Sequence, residues 1–273
     1  MTTSPDSTAP CKEDVYRFPA SFGQQRLWVL DQLEPGNPVY NIARPLRLTG
    51  PLNVAALEQS LSEIVRRHES LRTTVTTVQG QPMQGIAPTL TLPLPRVDLQ
   101  DLPQGVCAER VAQLAATEAR QPFDLARGPL LRTTLLQLDT EDHILLLTVH
   151  HIVADEWSMG VFMRELARLY TAHVSGTPAA LPELSIQYAD YTLWQQEWLQ
   201  GTLLEERLAY WREQLAGAPA VLELPADRPR PAVQTNRGRM TTFTIPAATA
   251  ARARTPRTAR SARGRRCRAT SRR

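Results

Sequence analysis

The chain has 273 residues, of which 42% are hydrophobic, so it is long enough for one large or two small globular domains. Its formal net charge of +4 comes from residues 251–273, which hold ten arginines and no acidic residue; the remainder has 21 basic and 27 acidic residues, which argues against a phosphate-binding basic surface on the folded part. The lack of a run of about 18 apolar residues excludes a membrane-spanning helix. The cysteines at 11, 107 and 267 have no metal-binding spacing, and their odd, sparse number suggests a reducing compartment.

Residues 1–17 are rich in Ser, Thr, Pro and Asp and lack the apolar centre of a secretory signal, which predicts a disordered lead-in. Apolar residues at helical spacing predict helices at 20–34, 53–67, 105–119, 159–170, 188–200 and 203–215. Short apolar runs between turn residues predict strands at 41–48, 71–77, 83–86, 130–138, 143–150 and 240–245. The strands at 130–138 and 143–150 form the clearest hairpin, and helices mixed with hairpins indicate an α/β fold of the layered α+β kind.

Four of the five tryptophans, at positions 28, 194, 198 and 211, lie in or near these predicted elements. Large aromatic side chains in packed elements usually fill the core, and that role is predicted for all four.

The stretch from His150 to Ser158, HHIVADEWS, lies between the apolar run 144–149 and the predicted helix 159–170. The run is typical of a strand buried on both faces, and the end of such a strand often carries catalytic groups. Neighbouring residues of a strand point to opposite faces. One of His150 and His151 is therefore expected to face the core and the other a cleft, so that they do not share one metal ion or ligand.

Asp155 has several possible roles by position alone. It can turn back to orient an imidazole, anchor the turn through a buried ion pair, or cap the helix, a role that Ser158 can also fill. Two structural histidines beside a helix cap are the plainer interpretation. The combination of two histidines and an aspartate at this spacing favours acid–base chemistry, because imidazole exchanges a proton near neutral pH.

Four segments resemble, in order, motifs of the condensation domains of nonribosomal peptide synthetases. HHIVADEWS resembles the HHxxxDG motif of that family, and SFGQQRLW at 21–28 is similar to SxAQxRLW. RHESLRT at 67–73 resembles RHExLRT, and YADYTLWQ at 188–195 resembles YxDYAxWQ. The resemblance runs from about residue 18 to about residue 246 and has one departure in its central motif, where Glu156 replaces the usual Gly.

The resemblance implies a fold similar to that of chloramphenicol acetyltransferase, with two lobes in a V and a tunnel between them. It implies an N-terminal lobe at 18–180 and the beginning of a C-terminal lobe at 181–250, between the lead-in at 1–17 and an arginine-rich tail at 251–273. Because a tunnel needs both walls, weak or no condensation activity is expected of this chain alone.

The catalytic set implied by the resemblance is His151, His150 and Asp155. His151 either accepts a proton from the attacking amine or holds that amine and stabilises the tetrahedral intermediate. His150 faces inward and supports the strand, whereas Asp155 is structural and shapes the loop through a salt bridge. The residues expected to support the site are Arg67 (the preferred partner of Asp155), Arg26 and Arg72 (its rivals), and Ser158.

Glu156 is a departure with three possible consequences. A Glu in place of a Gly can narrow the tunnel, add charge near His151, or face solvent without effect.

The implied reaction forms a peptide bond when a carrier-bound aminoacyl amine attacks the thioester carbonyl of a carrier-bound acyl or peptidyl donor. The implied partners are the donor and acceptor peptidyl carrier proteins and an adenylation domain of the same assembly line. The implied setting is the cytoplasmic synthesis of secondary metabolites such as antibiotics, without nucleic acid or membrane.

No cofactor is expected on this chain, because it has no Walker loop and no Rossmann glycines; the substrates arrive on the phosphopantetheine of the carriers. The alternatives are an epimerisation domain, a stand-alone CoA-dependent acyltransferase, and an inactive carrier-protein-binding module or decayed fragment.

Residues 251–273 contain no Leu, Ile, Val or aromatic residue, and the rest of the chain has a single lysine, Lys12, against many arginines. This bias is typical of GC-rich coding DNA, whose shifted frames yield Arg, Ala, Pro, Ser and Thr. Residues from about 252 onward are therefore predicted to be out of frame or disordered. A basic arm that binds nucleic acid is the alternative.

Overall fold

The computed structural model describes residues 15–254 except 224, 230 and 232–242. The lead-in up to residue 14, the first part of the strand predicted at 240–245 and the tail beyond 254 lie outside the described residues. The chain consists of two compact units, with the division between Leu222 and Glu223. The predicted lobe boundary at 180 stays a prediction.

The first unit contains six α-helices, two short 3₁₀-helices (Pro38–Tyr40 and Glu69–Arg72) and seven strands among its described residues. The helices are α1 (Phe22–Leu33), α2 (Val54–Arg67), α3 (Gln104–Arg120), α4 (Glu156–Ser175), α5 (Tyr188–Trp198) and α6 (Gly201–Gln214). The strands are β1 (Tyr16–Pro19), β2 (Asn41–Thr49), β3 (Thr73–Val78), β4 (Gln81–Ile86), β5 (Arg96–Asp98), β6 (Leu131–Asp139) and β7 (Asp142–His150). In the second unit, the described residues contain one helix, α7 (Ala247–Arg254).

The strands form two sheets. The larger has the order β2-β7-β6-β5, in which β5 and β6 are parallel and the other pairs antiparallel. The smaller is antiparallel, with the order β1-β4-β3. The hairpin predicted from two apolar runs is confirmed as β6–β7, and it occupies the centre of the larger sheet.

Strand β7 is buried on both faces, as its continuous apolar run predicts. Leu145, Leu147 and Val149 pack into a cluster that includes side chains of α2 and α4. Leu146 belongs to a second cluster, which includes residues of α3. The larger sheet therefore lies between α2 and α4 on one side and α3 on the other. Strand β7 is consequently packed by buried side chains on both faces.

Two strands were missing from the sequence prediction. Strand β1 lies partly within the predicted disordered lead-in, and it is ordered because Tyr16 and Arg17 pair with Ile86 and Gly85 of β4. Strand β5 follows the prolines at 93 and 95, where the sequence is ambiguous, and the carbonyl of Pro95 accepts a hydrogen bond of 2.8 Å from Leu135 N–H.

Three other predictions are corrected. Residues 243–246 are not a strand, and α7 extends to Arg254, inside the predicted tail. Trp194, Trp198 and Trp211 are not core residues, because their exposed fractions are 53%, 48% and 58%.

Candidate active site

The end of β7 is held by backbone hydrogen bonds on two sides. His150 N–H donates to the carbonyl of Leu130 at 3.0 Å, and His151 N–H donates to the carbonyl of Tyr40 at 2.8 Å. Leu130 directly precedes β6 and Tyr40 directly precedes β2, so the backbone at His150 and His151 is held from two sides and the direction of each imidazole is fixed.

His150 points into the protein. It is 4% exposed, its Nδ1 accepts a hydrogen bond of 3.1 Å from Ile152 N–H, and the rings of Tyr40 and Phe123 meet it edge-on. Burial, reinforced by the neighbouring charge of His151, lowers the pKa of His150 from 6.5 to about 4. At neutral pH the ring is therefore uncharged and carries its proton on Nε2.

His151 points outward and lines a pocket of about 260 Å³, called here the His151 pocket. The pocket is also lined by Arg26, Ser70, Asp155 and Tyr188. Within the described part of the chain, the imidazole of His151 makes no hydrogen bond. An exposed, unbonded imidazole on a rigid strand end can accept a proton from a molecule in the pocket.

Asp155 is the cap of α4 and does not form the salt bridge predicted for it with any of the described residues. Its Oδ1 accepts hydrogen bonds from Ser158 N–H at 2.7 Å and from Ser158 Oγ at 2.6 Å. The hydrogen bond from the Ser158 hydroxyl, followed by that from the Ser158 amide, holds the pKa of the Asp155 carboxyl below its usual range. This local capping satisfies the carboxylate, and α4 consequently begins at Glu156 rather than at residue 159.

The three arginines expected near Asp155 have other surroundings. Arg67 Nε lies 3.4 Å from Glu165 Oε1 on α4, and its guanidinium also donates to the carbonyl of Pro182. Arg72 donates to the carbonyl of Ala87 and lies 3.5 Å from Glu69. Arg26 lines the His151 pocket, and the described residues offer it no salt bridge.

Glu165 is a buried acidic residue that sequence reasoning missed. Its Oε1 faces the guanidinium of Arg67, and its Oε2 lies 2.7 Å from His68 Nε2. The group ties α4 to the end of α2. An acidic residue inside an amphipathic helix gives no sequence signal that distinguishes a buried pair from a solvated one.

Glu156 faces solvent. Its side chain is 78% exposed and pairs with Arg44 of β2, and it is not part of the lining of the His151 pocket. As the first residue of α4 it has helical backbone, without a positive φ. The freedom of a Gly is therefore not needed at this position.

A buried network of amides behind the loop was also missed. Gln24 Nε2 donates to the carbonyl of Ile152 at 3.4 Å and to Gln84 Oε1 at 3.2 Å. Gln84 Nε2 donates to the carbonyl of Pro19 and to Thr192 Oγ1. The network connects the residue after His151 with α1, β4 and α5. Gln24 occupies a fixed position of the first motif, which was the available signal, whereas Gln84 lies in no motif and adds nothing to an apolar pattern.

Tyr188, at the start of α5, contributes a hydroxyl to the His151 pocket. Its OH is 2.8 Å from Ser21 Oγ, and burial raises its pKa above the usual range. The phenol is therefore protonated at neutral pH and lies at the pocket wall. Its position in the fourth motif was the available signal, although the motif assigns it no role.

A second pocket, of about 180 Å³, adjoins the first and is called here the side pocket. Its apolar lining includes Leu131 of β6, Leu147 of β7, and Met159, Val161 and Phe162 of α4. The two pockets have lining residues in common. These shared residues are Ser70, Val153, Ala154 and Ser158.

The described residues contain no cluster of three His, Cys, Asp or Glu side chains that could hold a metal ion. None of the helices in the described ranges is long and apolar enough to cross a bilayer.

Comparison with known proteins gives a consistent result. The family model for the condensation domain matches residues 13–263. The match extends beyond residue 246 into the arginine-rich segment, so the out-of-frame hypothesis rests on composition alone. Over 232 residues the chain is 50% identical to one of the proteins that make up the linear gramicidin synthase of Brevibacillus parabrevis, covering 85% of this chain and 3% of the relative.

A second curated relative and a solved structure extend the comparison. The chain is 48% identical over 244 residues to phosphinothricin tripeptide synthetase PhsC of Streptomyces viridochromogenes, covering 89% of this chain and 22% of the relative. The starter condensation domain of rhizomide synthetase RzmA matches with a TM-score of 0.66 at 23% identity, covering 75% of this chain and 49% of that chain. This match confirms the predicted fold class. The chain thus spans a small part of the curated relatives and about half of the solved one.

Proposed function

Because this chain belongs to the condensation-domain family of nonribosomal peptide synthetases, we propose that it supplies the histidine-bearing half of a catalyst that joins two carrier-bound substrates through a peptide bond. The observation that carries the proposal is the imidazole of His151, exposed in its pocket without a hydrogen-bond partner among the described residues. The related synthetases do not favour the epimerisation, CoA-dependent or inactive alternatives.

In the proposed reaction, the amine of the acceptor attacks the thioester carbonyl of the donor. The C–N bond forms and the C–S bond breaks, and the proton lost by the amine passes to the departing thiolate. His151 accepts that proton or holds the amine while charge develops. His150 stays neutral behind the strand, so that it adds no competing positive charge, and Asp155 holds the first turn of α4.

The proposed partners are donor and acceptor carrier proteins whose phosphopantetheine arms bring the substrates, together with an adenylation domain in the same synthetase. The support for these partners is that the curated relatives are multidomain synthetases. The chain itself is proposed to bind no cofactor. The cytoplasmic location remains a prediction.

The test uses the full chain, alone and mixed with a separately produced second half of the condensation domain of the PhsC relative. Peptide-bond formation is measured from aminoacyl N-acetylcysteamine thioesters and amine acceptors. We expect turnover in the mixture. His151→Ala should lower that turnover by about 10²–10⁴-fold, whereas His173→Ala, near the far end of α4, should leave it unchanged.

Two further arms separate the alternatives. An amine acceptor of low pKa should restore turnover to His151→Ala if proton acceptance is the lost role, and should not do so if His151 positions the amine. Acyl-CoA donors that replace the thioesters without loss would favour a stand-alone acyltransferase. A mixture in which His151→Ala reacts as fast as the parent chain would overturn the proposed function.

A further inference from the structure

The side pocket has no part in the bond-forming step described above, although it adjoins the His151 pocket. Ser70 and Ser158 line both pockets, as do Val153 and Ala154 on the loop after His151. These shared residues lie between the two spaces. A group that occupies the side pocket can therefore belong to a molecule whose reacting atom is at His151.

The lining of the side pocket selects against charge. Apart from His68, Ser70 and Ser158 its lining residues are apolar, and His68 Nε2 is already bonded to Glu165. None of the described carboxylates, lysines or arginines lines it. A charged side chain placed there would lose its hydration without gaining a partner, whereas an apolar one would be removed from water.

The size of the side pocket fits one amino-acid side chain. Its volume of about 180 Å³ is close to that of an apolar protein cavity of about 150 Å³ that binds benzene. An isobutyl or benzyl group fills such a space, and a peptide does not fit.

Trp157, also among the lining residues, is a second and independent observation. Its exposed fraction is 81%, which is high for the largest apolar side chain. It directly follows Glu156, at the start of α4, and is both a lining residue of the side pocket and exposed to solvent. An exposed tryptophan beside an apolar pocket can cover a bound apolar group.

We infer that the side pocket is a specificity site that takes the aliphatic or aromatic side chain of one of the two substrates reacting at His151. The inference rests on the proposed function and names the class of substrate: an amino acid with an uncharged side chain of the size of leucine or phenylalanine.

The test measures binding, so that it does not depend on turnover. The full chain, labelled with ¹³C at its methionine methyl groups, is titrated with N-acetyl-leucinamide, N-acetyl-phenylalaninamide, N-acetyl-glycinamide and N-acetyl-aspartamide. The leucine and phenylalanine probes should shift the Met159 signal and bind roughly tenfold more tightly than the glycine probe, because only they bury an apolar side chain. The aspartate probe should bind no better than the glycine probe.

Two variants locate the binding. Val161→Phe fills the side pocket without touching the His151 pocket and should abolish the preference for leucine over glycine, while Val111→Phe, on α3, is the matched control that keeps it. Phe162→Leu enlarges the side pocket while keeping the Met159 reporter, and it should turn the preference from leucine towards phenylalanine. Thermal melting of each variant establishes that it is folded before its binding is measured.

The inference is overturned if no probe shifts the Met159 signal, or if Val161→Phe binds the leucine probe as the parent chain does; the space is then a packing void only. Selective binding in a chain that shows no turnover in the reconstituted mixture would count against the proposed function and leave the side pocket established. Turnover without selective binding would support the proposed function and count against the side pocket as a specificity site.

Discussion

The two adjacent histidines differ in the surroundings that the strand gives them. His150 is buried among Tyr40 and Phe123 with Nδ1 bonded to Ile152 N–H, whereas His151 is exposed in the pocket. The lowered pKa of His150 makes it a neutral structural group over most of the pH range. Of the two, His151 is then the one whose imidazole can reach a molecule in the pocket.

His150 should make the stability of the fold fall in mild acid. Below pH 6.5 the unfolded chain takes up a proton at His150, but the folded chain resists it until about pH 4. The stabilisation is complete above pH 6.5 and is lost between pH 6.5 and 4, by about 3 kcal/mol in all. Urea unfolding at several pH values measures the slope. His150→Gln, which keeps an acceptor for Ile152 N–H, should have a shallower slope; equal slopes would contradict the assignment.

Asp155 should behave as a helix cap and not as one member of a buried ion pair. Asp155→Ala removes the acceptor for Ser158 N–H and should cost about 1 kcal/mol of unfolding free energy, whereas Asp155→Asn should cost much less because Asn also caps. Turnover should fall in Asp155→Ala because the loop after His151 is loosened. Loss of about 3–5 kcal/mol in both variants would indicate a broken buried pair instead. Chemical denaturation measures the difference.

The role of Asp155 also marks the limit of sequence reasoning at this scale. Its position before an apolar helix is compatible with both a cap and an ion pair. The sequence does not show which charged residue lies close to Asp155 in the folded protein. Ser158, three residues away, is the partner that a cap requires, and both its amide and its hydroxyl donate to Oδ1. Arg67 instead meets Glu165, on a turn of α4 distant in sequence.

At the scale of elements, the loop after β7 is held by Gln24 of α1. Gln24→Leu should cost about 3 kcal/mol, because Ser21 N–H, Gln84 Oε1 and the Ile152 carbonyl would all lose a partner. The backbone amide signals of His151 and Ile152 should shift as the loop loosens.

The neighbouring Gln25→Leu is the matched control for Gln24→Leu. It loses one bond, to the carbonyl of Ala20, and should cost about 1 kcal/mol without moving the His151 and Ile152 signals. Denaturation combined with ¹H–¹⁵N spectra distinguishes positioning from simple packing: an unchanged His151 signal in Gln24→Leu would sink the positioning role.

The elements that were predicted correctly have a local cause. Strand β7 follows from an uninterrupted apolar run, and α2 follows from apolar residues at helical spacing after the cap Asn53. Strand β1 has only four residues and ends at Pro19. It forms because it pairs with β4, which lies far along the chain, so its own sequence does not predict it. Exposure of Trp194 was unpredictable for the same reason, since the sequence does not show which helix faces have a neighbour.

At the scale of the whole molecule, α5 presents an aromatic face to solvent. Tyr188, Tyr191, Trp194 and Trp198 follow one another along the helix, with ring centroids 5.6, 5.9 and 5.4 Å apart and the two tryptophans stacked. Trp194 and Trp198 are about half exposed. Contiguous apolar surface of this kind favours association unless another surface covers it.

The full chain at high concentration should therefore self-associate through α5. Trp194→Lys combined with Trp198→Lys should keep the chain monomeric with little change in melting temperature, because both side chains are already half in water. The matched control replaces two exposed valines on other helices, Val106 of α3 and Val174 of α4, with lysine, which adds the same charge without touching the aromatic face. Sedimentation velocity measures the association. If the valine variant becomes monomeric as well, net charge is responsible and not the aromatic face; if both variants associate like the parent chain, the contact lies elsewhere on the molecule.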